Sequence, residues 1–104
     1  MSKIGLFIKH TALSGKRDEV HAVWEKHMQP RIAANAGHEA YFYCFDENDP
    51  DTIHVYQQYT NREAMQEFLA HPEYADYLKE VGPLIAHPPE MTTTNPIWIK
   101  GAKA

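Results

Sequence analysis

The sequence predicts an α+β domain of the ferredoxin-like kind, β-α-β-β-α-β, with one four-stranded antiparallel sheet and the helices on one face. Three observations predict it. Segments of alternating apolar residues occupy the strand positions of that order, and segments with apolar residues three and four apart lie between them. Both helical segments are long enough for a right-handed crossover between parallel strands. The two middle strand segments are joined only by the turn cluster Asn48-Asp49-Pro50-Asp51, so they form a hairpin.

Residues 3–10 read as the first strand, with Ile4, Leu6 and Ile8 alternating with Gly5, Phe7 and Lys9. A turn follows over 11–15. A helix is expected from Ser14 or Gly15, with Asp18 and Glu19 in its first turn, where the helix dipole favours acids. Val20, Val23, Trp24 and His27 form its apolar face. Pro30 should interrupt this helix after about Met28, because proline lacks the amide a helix interior needs. Gly37 closes the region, and residues 39–46 read as the second strand. Residues 52–59 read as the third. Thr60 and Glu63 fit a capping box for the next helix, whose stripe is Met65, Phe68 and Leu69. Pro72 should break that helix at His71; it resumes through Tyr74, Leu78 and Val81 and stops at Gly82-Pro83. A last strand is expected over 91–99, with Pro96 marking it as an edge or a bulge, and the end over 100–104 as frayed.

The strands are apolar on both sides. Tyr41, Tyr43 and Phe45 point one way while Phe42 and Cys44 point the other, Ile53 and Val55 oppose Tyr56, and Leu6 opposes Phe7. Helices cover one face only. Each large apolar side chain gains roughly 1.5–3 kcal/mol from burial, so the bare face is expected to meet a second copy, as a sheet-on-sheet homodimer. Cys44, mid-strand, reads as a buried small hydrophobe.

The 104 residues allow one domain, expected over 3–99. With 14 acids against 10 bases, the net charge of -4 disfavours nucleic acid and anionic membranes as partners. The third strand carries no Gly, Lys or Arg, so it lacks the motif by which RNA-recognition modules of the same topology stack bases. A single cysteine excludes internal disulfides and multi-cysteine zinc sites, no apolar run is long enough for a membrane span, and a reducing cytoplasm is the expected location. Seven histidines form no metal motif, so no metal site is expected. Among them His71 stands out, at the Pro72 break between Phe68 and Tyr74: a base that titrates near neutrality beside an apolar pocket can move protons. A plain capping role at the break is the competing reading.

Four segments in order carry a family resemblance: Ala36-Gly37-His38-Glu39-Ala40-Tyr41, the acidic hairpin from Asp46 to Asp51, the run from Gln57 to Ala64, and Phe68-Leu69-Ala70-His71-Pro72-Glu73-Tyr74. Together, over about residues 4–99, they resemble the antibiotic biosynthesis monooxygenase family, small dimeric α+β barrel proteins that include quinol monooxygenases. Departures are visible. Gln57-Gln58-Tyr59 stands where the family commonly has Glu-x-Trp, and Val55 where the polyketide oxygenases have Asn. Phe68 and Leu78 stand where the haem-degrading branch has Trp and an axial His. The resemblance implies oxygenation of a small quinol or polyphenol by O2 with no cofactor. It implies His71 as base or hydrogen-bond partner, Tyr43 and Tyr59 as polar-tipped pocket walls, and Phe68 and Tyr74 as apolar lining. A non-catalytic binder of aromatic molecules, or an isomerase of a small carbonyl compound, would use the same fold.

Overall fold

The computed structural model describes residues 3–101; the expected fray lies mostly outside them. The element order is β1 (Ile4–Thr11), α1 (Arg17–His27), α2 (Gln29–Ala34), β2 (His38–Phe45), β3 (Thr52–Tyr59), α3 (Arg62–Leu69), α4 (Pro72–Val81), a 3-10 turn (Gly82–Leu84) and β4 (Glu90–Thr94). The sheet runs β2-β3-β1-β4 with every neighbouring pair antiparallel. This is the ferredoxin-like α+β fold.

Both prolines act as their chemistry requires. Pro30 sits in the first turn of α2 and Pro72 in the first turn of α4, where a missing amide costs nothing, so each helical segment restarts instead of kinking. The core lies between the sheet and the helices. Ile4, Leu6 and Ile8 of β1 and Ile53 and Val55 of β3 pack under Val20, Val23 and Trp24 of α1, Phe68 of α3 and Val81 of α4. His27 ties α1 to α4 at the surface through Glu73 and Glu80.

Several boundaries differ from the sequence expectation. The first helix starts at Arg17, not at Ser14 or Gly15, because Gly15 has φ +77° and its amide donates to Asp51 Oδ1 at 3.0 Å. A left-handed residue pinned to the hairpin tip cannot begin a helix. Asn61, not Thr60, caps α3: its Oδ1 accepts from the Ala64 amide at 2.8 Å, while the Thr60 amide is still paired to the Gly37 carbonyl. The last strand ends at Thr94 instead of reaching Ile99, so Pro96 lies beyond it and Ile97 and Trp98 are exposed. Cys44 is exposed, on the face without helices, and is not a buried hydrophobe. Among the described residues, no helix is long and apolar enough to cross a membrane.

Candidate functional site

A set of polar side chains lies among the apolar ones on the helix-covered face of the sheet. The registers put His38, Tyr59 and Ile4 in one cross-strand row, Tyr41, Gln57 and Leu6 in the next, then Tyr43, Val55 and Ile8, then Phe45, Ile53 and His10. At the first row the chain builds a hydrogen-bonded network. The Asn35 amide nitrogen lies 2.9 Å from His38 Nδ1, and His38 Nε2 lies 3.0 Å from Gln57 Oε1. Tyr59 donates its hydroxyl to the same Gln57 oxygen at 2.5 Å, and Asn35 Oδ1 accepts from the Gly37 amide at 3.1 Å. An oxygen that already takes one proton donor accepts, so His38 carries its proton on Nε2, and Nδ1 is the acceptor. Burial pushes the His38 pKa below its ordinary value against the Gln57 hydrogen bond, and the Arg31 charge adds to the depression. His38 is therefore neutral at pH 7. Its ring packs edge-on against Phe68, centroids 4.6 Å apart, and 4.3 Å from Tyr59.

Beside this network opens a cleft of about 430 Å³, within the range typical of small-molecule sites, roughly 300–1,000 Å³. Arg31, Asn35, Gly37, Phe68 and His71 are in its wall, with Glu63 and Glu67. Asn35 stands between the cleft and His38.

Of the residues singled out from sequence, Phe68 and His71 share this cleft, and Tyr59 lies behind Phe68 at a centroid distance of 6.2 Å. His71 is exposed and caps α4, with Nδ1 accepting from the Glu73 amide at 3.0 Å. That bond makes Nδ1 an acceptor and leaves the proton of the neutral ring on Nε2, in a residue that lines the cleft. Tyr43 and Tyr74 lie elsewhere. Tyr43 stacks on Trp24 at 4.1 Å with its buried hydroxyl unpaired, and Tyr74 stacks on Tyr77 at 6.1 Å. Burial raises the pKa of Tyr43, Tyr59 and Tyr74 above the ordinary phenol value, so their hydroxyls stay protonated.

Sequence reasoning missed His38, Gln57, Asn35 and Arg31. It also missed a second buried pair at the far end of the same face, where Tyr77 Oη lies 2.8 Å from His10 Nε2 and His10 Nδ1 is buried without a partner. Position 10 continues the inward phase of Ile4, Leu6 and Ile8, so the alternation was a usable signal. Among the described residues no group of His, Cys, Asp and Glu is placed to hold a metal ion.

Comparison with known proteins agrees with this architecture. The solved structure of a candidate antibiotic biosynthesis monooxygenase from Chloroflexus aurantiacus is similar, with 28% identity, TM-score 0.78, and coverage of 96% of this chain and 98% of that one. A second candidate monooxygenase, from Caulobacter crescentus, has TM-score 0.85 at 15% identity over 93% of this chain and 92% of its own. A protein of unknown function from Nitrosomonas europaea has TM-score 0.82 at 20% identity over 100% and 98% of the two chains. The last two share the fold. Among curated proteins, none matches significantly. The sequence profile described as antibiotic biosynthesis monooxygenase matches residues 4–80, from the first strand through nearly all of α4, and so includes Arg31, Asn35, His38, Gln57, Phe68 and His71. On that match the chain belongs to the antibiotic biosynthesis monooxygenase family.

Proposed function

We propose that this protein is a cofactor-independent monooxygenase that oxidises a small quinol or polyphenol with O2, with His38 as base and His71 as a hydrogen-bond donor to the substrate. The observation that carries the reading is the neutral, network-held His38 bonded to Asn35, which lines a cleft that also holds Phe68 and His71. A hydroxyl of the substrate takes the place of the Asn35 amide at His38 Nδ1 and passes its proton there. The Gln57 carbonyl keeps hold of Nε2–H throughout, which fixes the ring and favours the imidazolium. The phenolate surrenders electrons to O2 far more readily than the phenol does. One oxygen atom bonds to a ring carbon, the O–O bond breaks, and the other atom leaves as water. Hydroquinone plus O2 thus gives hydroxyquinone plus water, and the quinol itself supplies all four electrons. Phe68 lines the cleft and limits water, and the buried Tyr59 backs it. Tyr43 and Tyr74 are packing residues away from the cleft.

The same proposal includes a homodimer through the bare sheet face. Phe7 and Phe42 are 50% and 59% exposed there, on either side of Tyr56, and burial against a second copy would stabilise them.

O2 uptake with a panel of hydroquinones tests the chemistry. His38→Ala should lose about 10²-fold or more in kcat/KM, the usual worth of a placed base, and His71→Ala about tenfold, the worth of one hydrogen bond. A His38→Ala protein that keeps the wild-type rate would remove His38 from the mechanism. Saturable binding of quinols with no uptake in the wild type would leave a binding protein.

A further inference from the structure

We infer that the cleft selects an aromatic monoanion, and that Arg31 is the specificity residue, holding a carboxylate on the substrate's ring. The inference deepens the proposed oxidation and rests on it for the identity of the ring. Arg31 lies in α2, in the short helix that Pro30 restarts. Its guanidinium carbon lies 4.6 Å from the centroid of the Phe68 ring. Its Nη1 is buried without a hydrogen-bond partner, and none of the ion pairs among the described residues involves it.

That state is unusual for the residue type. A guanidinium has five donors in a planar fork that matches a carboxylate, and a partly buried cation ordinarily finds one. This chain has 14 acids to offer, and two of them, Glu63 and Glu67, share the cleft with Arg31 and do not pair with it. The Phe68 ring face attracts the cation and holds it in place, but supplies no acceptor. The cleft is thus polarised, with an unpaired cation on the α2 wall and two carboxylates on the α3 wall. An aromatic ring slotted between them would set one carboxylate on Arg31 and turn its hydroxyls, which are donors, to the acceptors opposite. A second negative charge would meet Glu63 and Glu67, so the favoured ligand carries one. A neutral quinol leaves Arg31 as unpaired as it is in the free protein.

Equilibrium binding to the full chain under nitrogen, where nothing turns over, tests this. The two probes are gentisate, which is hydroquinone bearing one ring carboxylate, and methylhydroquinone, which is similar in size and uncharged. Titration calorimetry should give gentisate a Kd at least about tenfold lower, as a charge-assisted bidentate pair requires. The preference should shrink as salt rises from about 0.05 to 0.5 M. Arg31→Met, which retains the stem that packs on Phe68, should bring the two Kd values together, and Arg31→Lys should restore part of the gap. Equal Kd values in the wild type overturn the inference without any variant, and so does a preference that survives Arg31→Met in a folded protein. Admitting O2 afterwards separates the two readings. Gentisate held through Arg31 but never oxidised keeps the anion site and removes the oxygenase; oxidation of neutral quinols with no preference for gentisate does the opposite.

Discussion

The two faces of the sheet are built from the same alternating strands and pair their polar side chains in different ways. The face under the helices carries His10, His38, Tyr41, Tyr43, Gln57 and Tyr59, and the bare face carries a band of Phe7, Tyr56 and Phe42 across three adjacent strands. Ile4, Leu6, Ile8, Ile53 and Val55 complete the covered face, and Lys9, His54 and Gln58 share the bare one. The difference teaches where burial of polar atoms is sustainable. On the covered face the helices and their connections bring a partner to most polar tips: Trp24 donates to Tyr41 at 3.1 Å, Tyr77 meets His10, and Asn35 meets His38. On the bare face no helix supplies partners: Gln58 donates to Glu39, Glu39 pairs with Lys3, and Phe7 and Phe42 are left open. Its phenylalanine rings lie 4.8 and 6.5 Å from Tyr56, flanked by one row with Lys9 and His54 and another with Gln58. In the proposed reading the covered face backs the cleft through His38, and the bare face meets a second copy.

The strongest way to break this contrast is to charge the bare face. In a two-fold dimer Phe42 occurs twice, so Phe42→Asp removes roughly 2 kcal/mol of burial at each of two positions, about 4 kcal/mol in all, which corresponds to about a 10³-fold rise in dimer Kd. Sedimentation across a dilution series reads it. The monomer fold should survive, because Phe42 is more than half exposed. Wild-type protein that stays monomeric at micromolar concentration would leave the band without a role as an interface.

A smaller effect is expected on the covered face, from pH. Burial pushes the His10 pKa down to about 4, against 6.5 when unfolded. Between those values the unfolded chain binds a proton that the native chain refuses, so stability falls as pH drops through that window. The loss is about 2 kcal/mol between pH 7 and pH 5. His27 works in the other direction: the hydrogen bonds it donates to Glu80 and Glu73 raise its pKa, so its contribution is complete below pH 6.5 and is lost as pH rises through the raised value. Urea unfolding from pH 4.5 to pH 8 should therefore trace a dome. His10→Gln should flatten the acid side and leave the alkaline side in place. An unchanged acid slope would mean that His10 titrates normally.

The strands and helix breaks were legible because each depends on local chemistry. Thr52–Tyr59 falls where alternation put it, and Pro30 and Pro72 restart helices at the expected places. The site was less legible, and His38 shows why. Counting back from inward-facing Tyr41 by strict alternation puts His38 on the bare face and Glu39 inside. A bulge between His38 and Ala40 resets the phase, so His38 turns in and Glu39 turns out to Lys3 and Gln58. No residue in that stretch announces the bulge. Arg31 and Asn35 were invisible for another reason: their roles depend on α2 lying beside α3, a contact between distant parts of the chain. His71 drew attention through its proline neighbour, and the same proline made it a cap.

The finest test concerns one hydroxyl. Tyr41 and Tyr43 lie two residues apart on the covered face and both contact Trp24, yet Tyr41 Oη accepts from Trp24 Nε1 while Tyr43 Oη is buried and unpaired. Removing the paired hydroxyl leaves an indole N–H unsatisfied, so Tyr41→Phe should cost about 1 kcal/mol or more. Removing the unpaired one takes away only a desolvation cost, so Tyr43→Phe should be neutral or stabilising by up to about 1 kcal/mol. Thermal unfolding of the two variants side by side gives the difference directly. If Tyr43→Phe were the more damaging, its hydroxyl would have a partner in solution, a bound water being the simplest, and the rule that the covered face tolerates polar tips only where the helices pair them would hold there through the solvent.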